Sequence, residues 1–149
     1  MSRSKRMKPV KQVAEHREQD AARALGRELD RLATERGKLD QLIAYRDEYA
    51  RSFEARGGNG VHARELQNFH AFLGRLNAAI EQQQKSVAEA EQACEARRRQ
   101  WLQRRSRSEA LGKVMARYQR EEARDRDRRE QADSDERALQ SHRRRRDDS

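Results

Sequence analysis

Four histidines, His16, His62, His70 and His142, and one cysteine, Cys94, are the chain's nitrogen and sulfur side chains of the kind that bind zinc. No histidine has a second His or Cys at metal-ligand spacing, so the pattern of a zinc site is missing. The run Gly57 to Gly60 lacks the following Lys-Ser/Thr and the preceding strand of a phosphate loop. Carboxylates are numerous but are expected on water-facing helix surfaces, where nothing perturbs their pKa values as an active site requires. A single cysteine cannot form an intrachain disulfide, and its position in an apolar pattern reads as a small buried hydrophobe. The expectation is a protein with no catalytic residues, no metal and no cofactor. Its chemistry should be contact.

Contact chemistry has specific residues to carry it. Leu42, Tyr45 and Tyr49 are spaced i, i+3, i+7 and share one helix face. Phe72, Leu76 and Ala79, at i, i+4, i+7, form a second such stripe. Lys38 and Gln83 extend the two stripes by one turn. Clustered aromatics on an outer face mark interaction sites. The alternative is that these rings only widen a two-helix core. A third group, Leu111, Met115 and Tyr118, stands further along the second helical segment.

The elements that position these residues follow from periodicity. From Leu66 to Tyr118 an apolar seam recurs at alternating steps of three and four residues, with lapses at Gln83, Arg97, Arg104 and Ser108. A period of 3.5 held over this length is a coiled-coil seam rather than the broader stripe of a globular helix. A weaker seam runs from Val10 through Leu25, Leu32, Leu39 and Ile43 to Phe53, interrupted by Arg36 and Arg46. Gly26 and Gly37 each cost that helix about 1 kcal/mol relative to Ala. Between the seams, Gly57-Gly58-Asn59-Gly60 cannot continue a helix. Two long seams around a short break make an antiparallel helical hairpin.

The predicted fold class is therefore all-α, a long antiparallel two-helix coiled-coil hairpin with unequal arms. The expected divisions are a flexible N-terminus over 1–8, helix one over 9–56 starting at Pro9, a glycine turn over 57–61, helix two over 62–139, and a basic disordered tail over 140–149. With residues whose numbers sum to about 117 facing each other, Tyr45 lies opposite Phe72 and Pro9 opposite Ser108. Helix two then overhangs beyond about residue 110, which leaves Leu111, Met115 and Tyr118 without an intrachain partner.

Composition agrees with this reading. The chain is 41% charged and 34% hydrophobic with one proline, a profile of long helices rather than of a domain with a closed pocket. Net charge is +9, which favours an acidic partner, yet acids are interspersed as in Glu121 to Arg128. Most of that charge reads as solvated helix faces with i, i+4 pairing. No apolar run reaches transmembrane or signal-peptide length, so the expected location is cytoplasmic, with peripheral membrane association.

At Leu42-Ile43-x-Tyr45-x-x-x-Tyr49, the glycine break, and Asn68-Phe69-x-x-Phe72-x-x-x-Leu76-x-x-Ala79-Ile80, the sequence resembles the FliJ family of the flagellar type III export apparatus. Asp20-Ala21-Ala22-Arg23-x-Leu25-Gly26 also resembles the family's first helix. The resemblance implies a coiled coil similar to the central stalk of rotary ATPases. It implies a stalk and escort protein that binds the hexameric export ATPase through its paired terminal regions. It further implies contact with the cytoplasmic domain of the export gate near the hairpin tip, and help in the cycling of export chaperones. Carried over by position, the gate contact is Leu42, Tyr45, Tyr49, Phe72, Leu76 and Ala79. Leu111, Met115 and Tyr118 are the further candidates for the ATPase ring. Such a protein would sit at the inner-membrane base of the flagellum.

Two other readings compete. A basic coiled coil could serve nucleic acid or the ribosome, through Arg97-Arg98-Arg99, Arg104-Arg105-x-Arg107 and Arg143 to Arg146. These cations are not gathered on one stripe with stacking aromatics, which counts against it. The equivalent stalk of a virulence injectisome is the other, disfavoured by the pair of tip motifs.

Overall fold

A computed structural model describes residues 2–57, 60 and 62–148. It contains two helices, α1 (Arg3–Gly57) and α2 (Ala63–Asp147), which pack against each other, and no strand among the described residues. The fold is the expected all-α antiparallel hairpin with unequal arms, of 55 and 85 residues. Of the glycine break, Gly58, Asn59 and also Val61 lie outside the described residues. Gly60 has φ +84, a left-handed backbone that a side chain resists.

Both helices are longer than expected, for local reasons. Ser2 is the N-cap of α1: its Oγ accepts from Lys5 N at 3.3 Å, and Arg6 N bonds Ser2 O at 3.2 Å. With its first turn satisfied in this way, α1 begins at Arg3, and Pro9 is carried inside the helix rather than opening it. At the other end, α2 continues through residues 140–147, where a disordered tail was expected. Arg144, Arg145 and Arg146 in its last turn complement the helix dipole there. At the start of α2, Leu66 N bonds His62 O at 3.1 Å, and Glu65 supplies the acidic residue that a helix N-terminus favours.

The chain divides into two compact units, one of residues 19–102 and one of 1–18 with 103–149. In the first, Leu32, Val87, Ala90 and Cys94 form the buried cluster, with Leu39 packed against it. Leu76 and Ile80 are buried on the same α2 seam. The seam of α2 thus supplies most of the buried apolar side chains, as its more regular spacing predicts. Cys94 is free and buried. The seam's lapse at Gln83 is filled by hydrogen bonds: its Nε2 donates to the Glu35 carbonyl at 2.9 Å and to Glu35 Oε2 at 2.5 Å. In the second unit, Ala14, Ser4 and Ser108 are buried.

Candidate partner-binding surface

In the unit of residues 19–102, five rings near the tip interdigitate between the two helices. Phe53 stacks on Phe69 with centroids 3.9 Å apart, and Phe69 stacks on Tyr49 at 5.4 Å. Tyr49 meets Phe72 edge to face at 4.7 Å, and Phe72 meets Tyr45 at 6.2 Å. Each step crosses from one helix to the other, so the rings form a ladder. Such pairs contribute about 0.5–1.5 kcal/mol each beyond their burial. The guanidinium of Arg75 lies 5.8 Å from the Phe72 centroid and adds a cationic rim.

The six tip residues singled out by spacing have different surroundings. Tyr45, Tyr49 and Phe72 are brought into one ring cluster, as the facing of Tyr45 and Phe72 predicts. Tyr45 is 54% exposed, whereas Tyr49, Phe72 and Leu42 are half-buried and Ala79 is exposed. Leu76 is 8% exposed and belongs to the core. The cluster is therefore core on its inner edge and open surface at Tyr45. Spacing alone assigned Phe53 and Phe69 to the seam and missed their place in the ladder. Their positions four residues after Tyr49 and three before Phe72 carried that signal. Of the two flanking residues, Gln83 is turned into the hairpin, and Lys38 Nζ pairs with Glu35 at 3.6 Å.

In the unit formed by the chain ends, the expected bare overhang at Leu111, Met115 and Tyr118 is corrected. All three are half-buried. Arg3 of α1 places its guanidinium 5.7 Å from the Tyr118 ring centroid, and Lys11 reaches the backbone at Gly112, where a Cβ would lie 3.7 Å from Lys11 Cε. The reason is that α1 starts at Arg3 and pairs further along α2 than a fixed sum of 117 allows. The segment of α2 that runs on with every residue exposed begins after Ala123.

The same unit holds a contact that no local pattern announces. Glu122 Oε1 accepts from Ser4 N at 3.0 Å, and its Oε2 accepts from Ser4 Oγ at 2.6 Å. A carboxylate of one helix thereby caps an orphan amide of the other. These bonds, first that from the Ser4 hydroxyl and then that from its amide, hold the Glu122 pKa below its ordinary value, against a smaller opposing effect of burial.

Among the described residues, no group of three or more His, Cys, Asp or Glu is placed to hold a metal ion. Among the same residues, no helix is long and apolar enough to cross a membrane. What the two helices bring together is a partly open cluster of aromatic rings.

The fold defines the class: an all-α protein built as a two-helix hairpin. Residues 3–147 match the family profile described as "Flagellar FliJ protein", and the chain belongs to that family. A flagellar FliJ protein of Salmonella typhi is 28% identical over 104 residues, which cover 70% of this chain and 71% of that one. No solved structure matches.

Proposed function

We propose that this chain is a stalk and escort component of the flagellar type III export apparatus, and that it is not an enzyme. It binds the cytoplasmic domain of the export gate through the tip cluster, receives the export ATPase hexamer around its paired terminal regions, and assists export-chaperone cycling. It works at the cytoplasmic face of the inner membrane, at the flagellar base. The observation that carries this reading is the half-open aromatic ladder near the tip of a FliJ-family hairpin. Inward rings hold it rigid, while Tyr45 stays accessible. Large rigid aromatics with an exposed edge are the side chains that dominate binding at interfaces.

Leu42, Tyr49, Phe72 and Ala79 complete that contact, and the buried Leu76 supports it from beneath. The ring contact includes the open edges of Leu111, Met115 and Tyr118. The test is Tyr45→Ala, measured for binding to the purified gate domain beside its melting curve. The expected result is a loss of affinity of roughly 2 kcal/mol with little change in melting. Equal gate binding by Tyr45→Ala and the parent would sink the gate assignment.

A further inference from the structure

Within the unit formed by the chain ends, charge is concentrated rather than interspersed. Residues 3–17 of α1 and 103–120 of α2 hold twelve Lys and Arg against two carboxylates, Glu15 and Glu109, a net +10 where the whole chain carries +9. The remainder of the chain is therefore close to neutral. Eleven of the twelve cations are exposed, and Lys11 is half-buried. The stretch stops at Glu121 and Glu122, after which acids and bases alternate.

A helix of this length spans about 25 Å. One net positive charge thus falls on roughly every 2.5 Å, a density approaching the one phosphate per about 1.7 Å of duplex DNA. Self-repulsion at that density opposes the pairing of the two segments. Alternating acids, such as those the chain places beyond residue 120, would remove the penalty.

The cations also surround the helices. At about 100° per residue, Arg3, Lys5, Arg6 and Lys8 point into four different quadrants of α1. Arg105, Arg107 and Lys113 are spread in the same way around α2. A flat anionic surface or a single groove would engage one side and leave the other cations uncompensated. We infer that this paired segment is the contact for a partner that encloses both helices and lines its bore with protein carboxylates. This rests on the reading of the chain as a stalk in the export ATPase ring. It adds that the ring's grip is chiefly electrostatic, with the half-buried edges of Leu111, Met115 and Tyr118 as a minor apolar part of the contact. Charge attraction acts over a screening length of about 8 Å at physiological salt. It needs no fixed side-chain register, so the segment can be held at many rotational settings.

The full-length chain is titrated against the assembled export ATPase hexamer at low and physiological salt. Two charge-neutralised variants are compared with it: Arg3, Lys5, Arg6 and Lys8 to Gln, and Arg104, Arg105, Arg107 and Lys113 to Gln. A control changes Arg124, Arg126, Arg128 and Arg129 to Gln. Helicity is checked by circular dichroism, and gate-domain binding reports that the tip is intact. Each set should weaken hexamer binding at least roughly tenfold with a flattened salt dependence, while the control shifts it less than about twofold.

If the parent binds the hexamer and both variants bind equally well, the electrostatic inference fails and the stalk reading stands. If the parent does not bind at either salt, the stalk reading itself fails, and this inference with it. Loss from only one set would indicate a one-sided partner and overturn the enclosing contact. So would unchanged hexamer binding with loss of binding to anionic vesicles or to RNA.

Discussion

Glu122 is the residue whose role is most specific to this fold. Its pKa is held below the ordinary 4.5 by the hydroxyl and amide of Ser4, so the bonds form with the charged carboxylate. The contribution to folding is full above the ordinary value and is lost as pH falls through the lowered folded value. The protection of the amides over residues 4–8, taken relative to their intrinsic exchange rate at each pH, should therefore be high at neutral pH and fall in acid below the ordinary carboxylate range. Glu122→Ala should show the low protection at every pH. Protection indifferent to both acid and the substitution would mean that Ser2 alone holds the start of α1. Cys94 is the other informative single residue. It is buried beside Val87 and Ala90, so a thiol reagent should label it at the rate of local opening. Labelling as fast as that of a free thiol in the folded protein would mean that the seam is open there.

At the scale of the element, interior glycines weaken both helices: Gly26 and Gly37 in α1, Gly74 and Gly112 in α2. A Cβ built at Gly37 or at Gly74 of α2 meets nothing within 4 Å, and both positions are exposed. Gly37→Ala and Gly74→Ala should each stabilise the hairpin by about 1 kcal/mol in denaturant unfolding. Destabilisation by either would show that the glycine serves a bend or a close approach by a partner. Gly60 is the contrasting case. Its left-handed φ makes Gly60→Ala destabilising although the space around it is open.

At the scale of the whole molecule, the two units differ in what holds them together. The unit of residues 19–102 carries the regular seam, the Gln83–Glu35 hydrogen bonds and the aromatic ladder. The unit of the chain ends carries almost all the net charge and few buried apolar groups. Its stability should depend more on ionic strength. Raising salt from low to physiological values should slow amide exchange in residues 3–17 and 103–120 by screening their mutual repulsion. Exchange near the tip should change little. Uniform salt sensitivity along the chain would contradict this division.

The all-α hairpin was legible in the sequence because its determinants are local. A 3.5-residue period is read along one helix, and three glycines in four residues end one wherever they stand. The two stripes, Leu42, Tyr45 and Tyr49 on one helix and Phe72, Leu76 and Ala79 on the other, were legible for the same reason, since side chains one and two turns apart on a helix share a face. Tertiary structure decided which residues the partner helix covers. Leu76 falls inside and Tyr45 outside, and α1 reaches Tyr118 where periodicity left it bare. The Ser4–Glu122 contact joins residues 118 positions apart, and Gln83–Glu35 joins residues 48 apart. Pairing across such separations is set by the relative register of two helices. An apolar repeat specifies that register only to within a turn or two, because one step of the seam resembles the next.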